Sequence, residues 1–340
     1  MHLPPDNKLT LLIPPDVPAS ACLNDGRELF HAGDIFGTQW SLCLLRKGST
    51  NPANDEAYRE QVVKACRQTL ELIDSQMSLW RANSLIAQYN RLPAGKRLSL
   101  RDPMATVVRK ALVQSEKTGG AFHPGLYEAV EHWGFGATNI EHPIASGLAF
   151  ARRRNGAQPP RLRMEGSELE KTAEHSLDLN GIAKGYAVDL LCDLIRSHPD
   201  TASCLVEIGG ELKGFGTRAD GMPFWTELAS SGDPATPAYR AALYGWACAT
   251  SGESERSHQA ENIVYSHIID PRTNASSTSD LIAATVFDKE CAKADALATA
   301  LIVMGASKAL TFAYEHNIPC VLTHRDQAAP ILSEAMIEWA

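Results

Sequence analysis

Hydrophobic and polar positions alternate in two different rhythms along this chain. In the first half the apolar residues recur at helical spacing. Tyr58, Val62, Ala65, Cys66, Leu70, Leu72 and Ile73 mark one face of a helix over about 54–79, and a second helix is predicted over about 102–118, opened by Asp102-Pro103. Before them, residues 1–34 are rich in Pro, Asp and Gly without sustained period and read as an irregular arm, with IFGTQWSLCLL at about 35–45 as the first strand. The glycine- and aromatic-rich GGAFHPGLYEAVEHWGFG, 119–136, suits a ligand-facing loop around a short helix, or equally an aromatic satellite core. The polar stretch 137–175 reads as helix, loop and two short strands, its RRRNGAQPPRLR cluster as a solvated face.

After 176 the rhythm shortens. A strand SLDLN leads into a helix over about 182–197, followed by the β-like runs CLVEIGG, ELKGFGT, PFWTELAS, YGWACAT, IVYSHIID and LIAATVF. A helix over about 289–304 ends at Gly305, another covers 307–316, and IPCVLTH and ILSEAMIEW read as closing strands. This half reads as a mostly antiparallel sheet with helices added. No internal repeat is present.

Composition narrows the function classes. With 340 residues, 44% hydrophobic and 21% charged, the chain can bury a large core or two. Lys plus Arg is 32 against 40 for Asp plus Glu, a net charge of -8, which sets nucleic acid aside as a partner. No run approaches the roughly 20 apolar residues of a membrane span. The opening MHLPPDNKLTLLIPPD lacks a basic n-region, an adequate h-region and a lipobox cysteine, so a cytoplasmic protein is expected. The eight cysteines are widely separated without C-x-x-C, as expected of reduced, buried thiols. The P-loop, Rossmann, zincin and nucleophile-elbow signatures are absent.

Four segments concentrate glycine, hydroxyl and charge. In DLNGIAKGY, 178–186, Asp178 precedes a helix start, Gly181 and Gly185 permit close approach of a ligand, and Lys184 adds a positive charge beside the free N–H groups of the first turn. A plain turn with a solvated lysine would account for the segment as well. In ADALATA, 294–300, Asp295 and Thr299 stand at i and i+4 on one helix face, hard oxygen donors suited to Mg²⁺. A threonine bonded back into its own helix is the alternative. The third segment is ATSGESER, 249–256. The fourth, YSHIIDPRT, 265–273, places His267 in mid-strand and Asp270-Pro271 at a turn.

Taken in order, these segments resemble the ApbE family of FAD:protein FMN transferases. The resemblance runs from about residue 35 to the end and includes FGT, MSLWRANS, TGGAFHP, WGFG, DLNGIAKGYAVD, EIGGELKGFG, ATSGESER, HIIDPRT and ADALATAL. It implies an α+β fold, mostly antiparallel sheets with flanking helices, as one domain over 35–340 in two lobes around an FAD cleft, divided near 175. It implies flavin contacts at Phe36, Trp80, Ala121, Phe122, His123, Asp178, Lys184 and Ile268, and a Mg²⁺ site, with Mn²⁺ as the alternative, formed by the Gly181 carbonyl, Asp295 and Thr299. The implied reaction passes FMN from FAD to a Ser or Thr hydroxyl of an acceptor flavoprotein, releasing AMP, with His267 as the base. An FAD pyrophosphatase or a non-catalytic flavin-binding protein are the competing readings. Two departures stand out: His123 replaces the family's usual Asp, and Ser266-His267 replaces a common pair of histidines.

Overall fold

Leu42 and Leu44 face one side of the strand Thr38–Arg46 while Cys43 faces the other, and both sides are buried. Such a strand must lie inside a sheet covered on both faces. The structure, a computed structural model, describes residues 9–17, 26–48, 51–154, 162–171, 176–228, 238–253, 255–260 and 263–340.

The central sheet has eight strands whose spatial order is their chain order: Glu28–Ile35, Thr38–Arg46, Thr201–Ile208, Glu211–Phe215, Ala247–Gly252, Leu281–Asp288, Cys320–His324 and Ile331–Leu332. Every neighbouring pair is antiparallel. The sheet is therefore a meander into which long segments are inserted, chiefly 47–200 and 253–280. Strands from both sides of residue 175 share it, so the division near 175 drawn from the sequence does not separate two sheets.

One face carries the helices Pro52–Met77, Met104–Lys117, Asn180–Ser197 and Cys291–Met304, which bury Leu70, Ile73, Met104, Val108, Ile182, Val188 and Leu191 against Leu42, Leu44, Val206 and Ile208. The other face packs Cys43, Cys248 and Phe287 against Leu12, Phe224 and Leu243 of a small sheet, Leu9–Leu12, Ala238–Leu243 and Phe224–Glu227. The helix Cys291–Met304 is apolar on nearly every side, and a helix of that kind belongs inside a protein. Its buried Leu297, Leu301 and Ile302 each contribute about 2 kcal/mol of burial, while its alanines let neighbouring backbones approach.

The helices lie within two residues of their expected limits. The strands required more correction. The stretch 1–34, read as irregular, contains Leu9–Leu12 and Glu28–Ile35; residues 1–8 and 18–25 lie outside the described residues. Glu28–Ile35 is an edge strand whose Ala, Gly and Asp blunt its alternation. SLDLN is not a strand: Leu177 exchanges hydrogen bonds with the Asn90 side chain, and Asp178 N–H donates to Pro124 O at 2.8 Å. The run ILSEAMIEW is strand only at Ile331–Leu332. Ser333 then caps the helix Glu334–Ile337 by accepting from Met336 N–H. The stretch 137–175 holds the helix Pro143–Arg154 and the strands Arg163–Glu165 and Glu168–Glu170; much of its basic cluster, 155–161, lies outside the described residues. The seven described cysteines are all buried and unpaired by disulfide, as expected, Cys22 being outside.

Candidate functional site

The site begins at a kink. Asp178 Oδ1 accepts from Asn180 N–H at 2.8 Å and fixes the entry to the helix Asn180–Ser197. One residue later Gly181 leaves helical dihedrals, at φ -85° and ψ 20°. At Gly185 a Cβ would stand 2.4 Å from the Cys291 carbonyl, so only glycine lets this helix touch the backbone of Cys291–Met304.

That contact brings the ADALATA helix to the kink. Asp295, 3% exposed, accepts from Gly185 N–H at 3.0 Å through Oδ2. One turn on, Thr299 Oγ1 lies 3.1 Å from Ser251 Oγ and 3.4 Å from the point where a Gly181 Cβ would sit. Phe122 Cε2 lies 3.4 Å from the same point. Gly181, Asp295 and Thr299 thus converge from two helices, with the edge of Phe122 as an apolar wall.

A charge network runs through this cluster. Lys184 Nζ is 2.8 Å from Glu211 Oε1, and Glu211 is 1% exposed. Burial opposes the charge on Lys184, but Glu211 and then Asp295 outweigh it and raise the ammonium above its ordinary value. Burial raises Asp295, with Lys184 and the Gly185 N–H pulling the other way. Burial likewise raises Asp178 to about 6, against the Asn180 N–H and Arg256.

His267 is not in mid-strand. It occupies the break between Ile263–Ser266 and Ile269–Asp270, where its backbone N–H donates to Arg256 O at 3.0 Å and its Nδ1 lies 3.1 Å from the same carbonyl. A ring nitrogen facing a carbonyl must carry the proton, which leaves Nε2 as the acceptor. Phe135 meets the ring edge-on at 6.2 Å between centroids. Burial, with Arg256 and Lys184 adding to it, pulls the imidazole below its ordinary value even though the Arg256 carbonyl favours the charged form.

The remaining expected flavin contacts lie on turns around this centre. Phe36 and Gly37 form the two-residue tip of the first hairpin, both at positive φ, 54° and 74°, which for phenylalanine is an uncommon backbone state. Trp80 stands 53% exposed on the turn after Pro52–Met77. Ala121 is half-buried and Phe122 buried, on a loop entered through Gly119 and Gly120 at φ 58° and 82°. Ile268, beside the histidine, is buried in the core under Cys291–Met304. His123 accepts from Gly125 N–H through Nδ1 at 3.0 Å. An aspartate closes an Asx-turn by the same i to i+2 bond, so the histidine keeps the turn its replacement would have lost.

Sequence reasoning singled out the segment ATSGESER that holds Ser251 and Arg256, but gave no role to either, nor to Glu211 or Glu131. Glu131 accepts from Ala137 N–H at 2.6 Å and from Tyr127 Oη, and pushes Asp178 upward. A glutamate opening a strand directly after a Gly-Gly turn, as Glu211 does, was the available signal.

Among the described residues no three His, Cys, Asp or Glu side chains gather as a metal cluster. The donors at the kink, one carboxylate, one hydroxyl and a backbone carbonyl, are all hard oxygens and fit a divalent cation whose shell is completed by phosphate.

A family model described as the ApbE family matches residues 36–322. A FAD:protein FMN transferase of Vibrio cholerae is 28% identical over 305 residues, covering 89% of each chain, and one of Treponema pallidum is 28% identical, covering 83% of this chain and 80% of its own. Among solved structures, the apo form of Pseudomonas stutzeri flavinyl transferase ApbE superposes with a TM-score of 0.78 at 28% identity, covering 94% of this chain and 98% of that one. The ApbE protein of Thermotoga maritima, 22% identical with a TM-score of 0.79 over 92% of this chain and 99% of its own, shares the fold.

Proposed function

The chain belongs to the ApbE family, and from that premise we propose that it is an FAD:protein FMN transferase acting on a Ser or Thr hydroxyl of an acceptor flavoprotein. The observation that carries this reading is the convergence of Gly181, Asp295 and Thr299 beside Lys184 at the kinked helix start. The pyrophosphate of FAD lies against that start, where N–H groups and the Lys184 ammonium oppose its charge. Phe36, Trp80, Ala121, Phe122, His123, Asp178 and Ile268 receive the flavin.

The acceptor oxygen attacks the FMN-side phosphorus, the bond from that phosphorus to AMP breaks, and AMP leaves. The proton of the attacking hydroxyl goes to His267 Nε2. Mg²⁺ or Mn²⁺ held by the Gly181 carbonyl, Asp295 and Thr299 supplies charge neutralisation on the phosphates. Ser251, bonded to Thr299, fixes the direction of that hydroxyl.

Mass spectrometry of an acceptor fragment carrying a Ser/Thr flavinylation motif, after incubation with this protein, FAD and Mg²⁺, tests the proposal. The expected result is covalent gain of one FMN with release of AMP, abolished by EDTA. FMN and AMP without an adduct would replace the transferase with a pyrophosphatase, and intact FAD would leave a binding protein.

A further inference from the structure

Glu211 takes no part in the reaction above, yet a carboxylate 1% exposed is costly to bury. It opens the strand Glu211–Phe215, paired in register with Ile208 across the Gly209-Gly210 turn, so its Cα is set by the sheet. Oε1 accepts from Lys184 at 2.8 Å, whereas Oε2 is buried and has no hydrogen-bond partner among the described residues. A stabilising device would satisfy both oxygens.

Three carboxylates act on the Lys184 ammonium: Glu211, then Asp295, then Glu255. Glu211 bonds it directly, and Asp295 acts on it strongly enough to raise it further. Asp295 is also the only charged donor of the cation site. Without Glu211, the carboxylate left acting most strongly on Lys184 is Asp295, which bonds the N–H of the next residue, Gly185, and a Lys184–Asp295 pair would occupy the lone pairs and cancel the charge that a divalent cation needs. We propose that Glu211 is a positioning residue that holds Lys184 away from Asp295 and so keeps the Asp295 carboxylate open for the cation. This rests on the metal site proposed above.

The experiment is equilibrium dialysis of Mn²⁺ alone against the full chain, so that the contact of Lys184 with a pyrophosphate does not enter the reading. Glu211→Gln, almost the same size but uncharged, should bind Mn²⁺ about tenfold more weakly than the unsubstituted protein. Adding Lys184→Met to it should restore binding to within about threefold, because the competing ammonium is gone. A purely structural Glu211 would give no such rescue. Glu211→Gln binding Mn²⁺ normally, or a loss that Lys184→Met leaves in place, overturns the proposal. Should Glu211→Gln fail to fold, as judged by circular dichroism, Lys184→Met alone decides: binding at least as tight as in the unsubstituted protein supports the proposal, and weaker binding overturns it. No Mn²⁺ retention by the unsubstituted protein would remove the metal site itself, a distinct result that removes the proposal with it.

Discussion

The Nδ1 of His267 is committed to the Arg256 carbonyl, and this decides which nitrogen can take a proton. Burial, Arg256 and Lys184 depress the imidazole, so Nε2 is vacant and the ring neutral at pH 7. A base of this kind works fully above the ordinary value near 6.5 and is lost as pH falls through the lowered one. The acidic limb of kcat against pH should therefore have its midpoint below about 6.5. Arg256→Met, which removes one depressing charge, should move that midpoint upward. His267→Ala should lower kcat by about 10²–10⁴. Its FAD affinity, measured by flavin fluorescence, should stay within about threefold of the unsubstituted protein, and equal losses in both would reject the base assignment. The histidine itself was legible in the sequence, but its tautomer was not, since that depends on a carbonyl eleven residues away.

Two helices make the site, and their contact is specified by residues with no chemistry of their own. Asp189, on Asn180–Ser197, accepts from the N–H groups of Cys291 and Ala292 at 3.0 Å each and from Lys213 Nζ at 2.6 Å, capping the neighbouring helix from the side. Asp189→Ala strands a buried ammonium and two donors, and urea unfolding should show a loss of about 3–5 kcal/mol. Gly185→Ala places a methyl against the Cys291 carbonyl, and the separation it forces should cost about 1–3 kcal/mol in the same assay. Pro52–Met77, Met104–Lys117 and Asn180–Ser197 were legible because their period repeats over three or more turns. Short strands such as Leu9–Leu12 and Ser257–Ala260 were hidden, because four residues carry too little alternation to separate from a loop. The i, i+4 spacing of Asp295 and Thr299 was visible in sequence. Their arrival beside Gly181 was not, because a tertiary helix contact brings it about.

At the scale of the molecule, one antiparallel meander binds the two halves of the chain. Thr38–Arg46 and Thr201–Ile208 are adjacent strands, so separating residues 1–175 from 176–340 exposes both faces of a central pairing. Neither fragment should show a cooperative thermal transition by circular dichroism when made alone, and co-purification of the mixed fragments would report their re-pairing. The bond from Gly185 to Asp295 spans 110 positions of sequence. On the ribosome, a chain that has emerged only as far as its kinked helix therefore has Gly181 and Gly185 but neither the Asp295 carboxylate nor the Thr299 hydroxyl beside them. Under the function proposed above, translation thus times competence: a nascent chain stays inert toward flavin until the helix Cys291–Met304 has cleared the exit tunnel, and products terminated before Asp295 should not consume FAD.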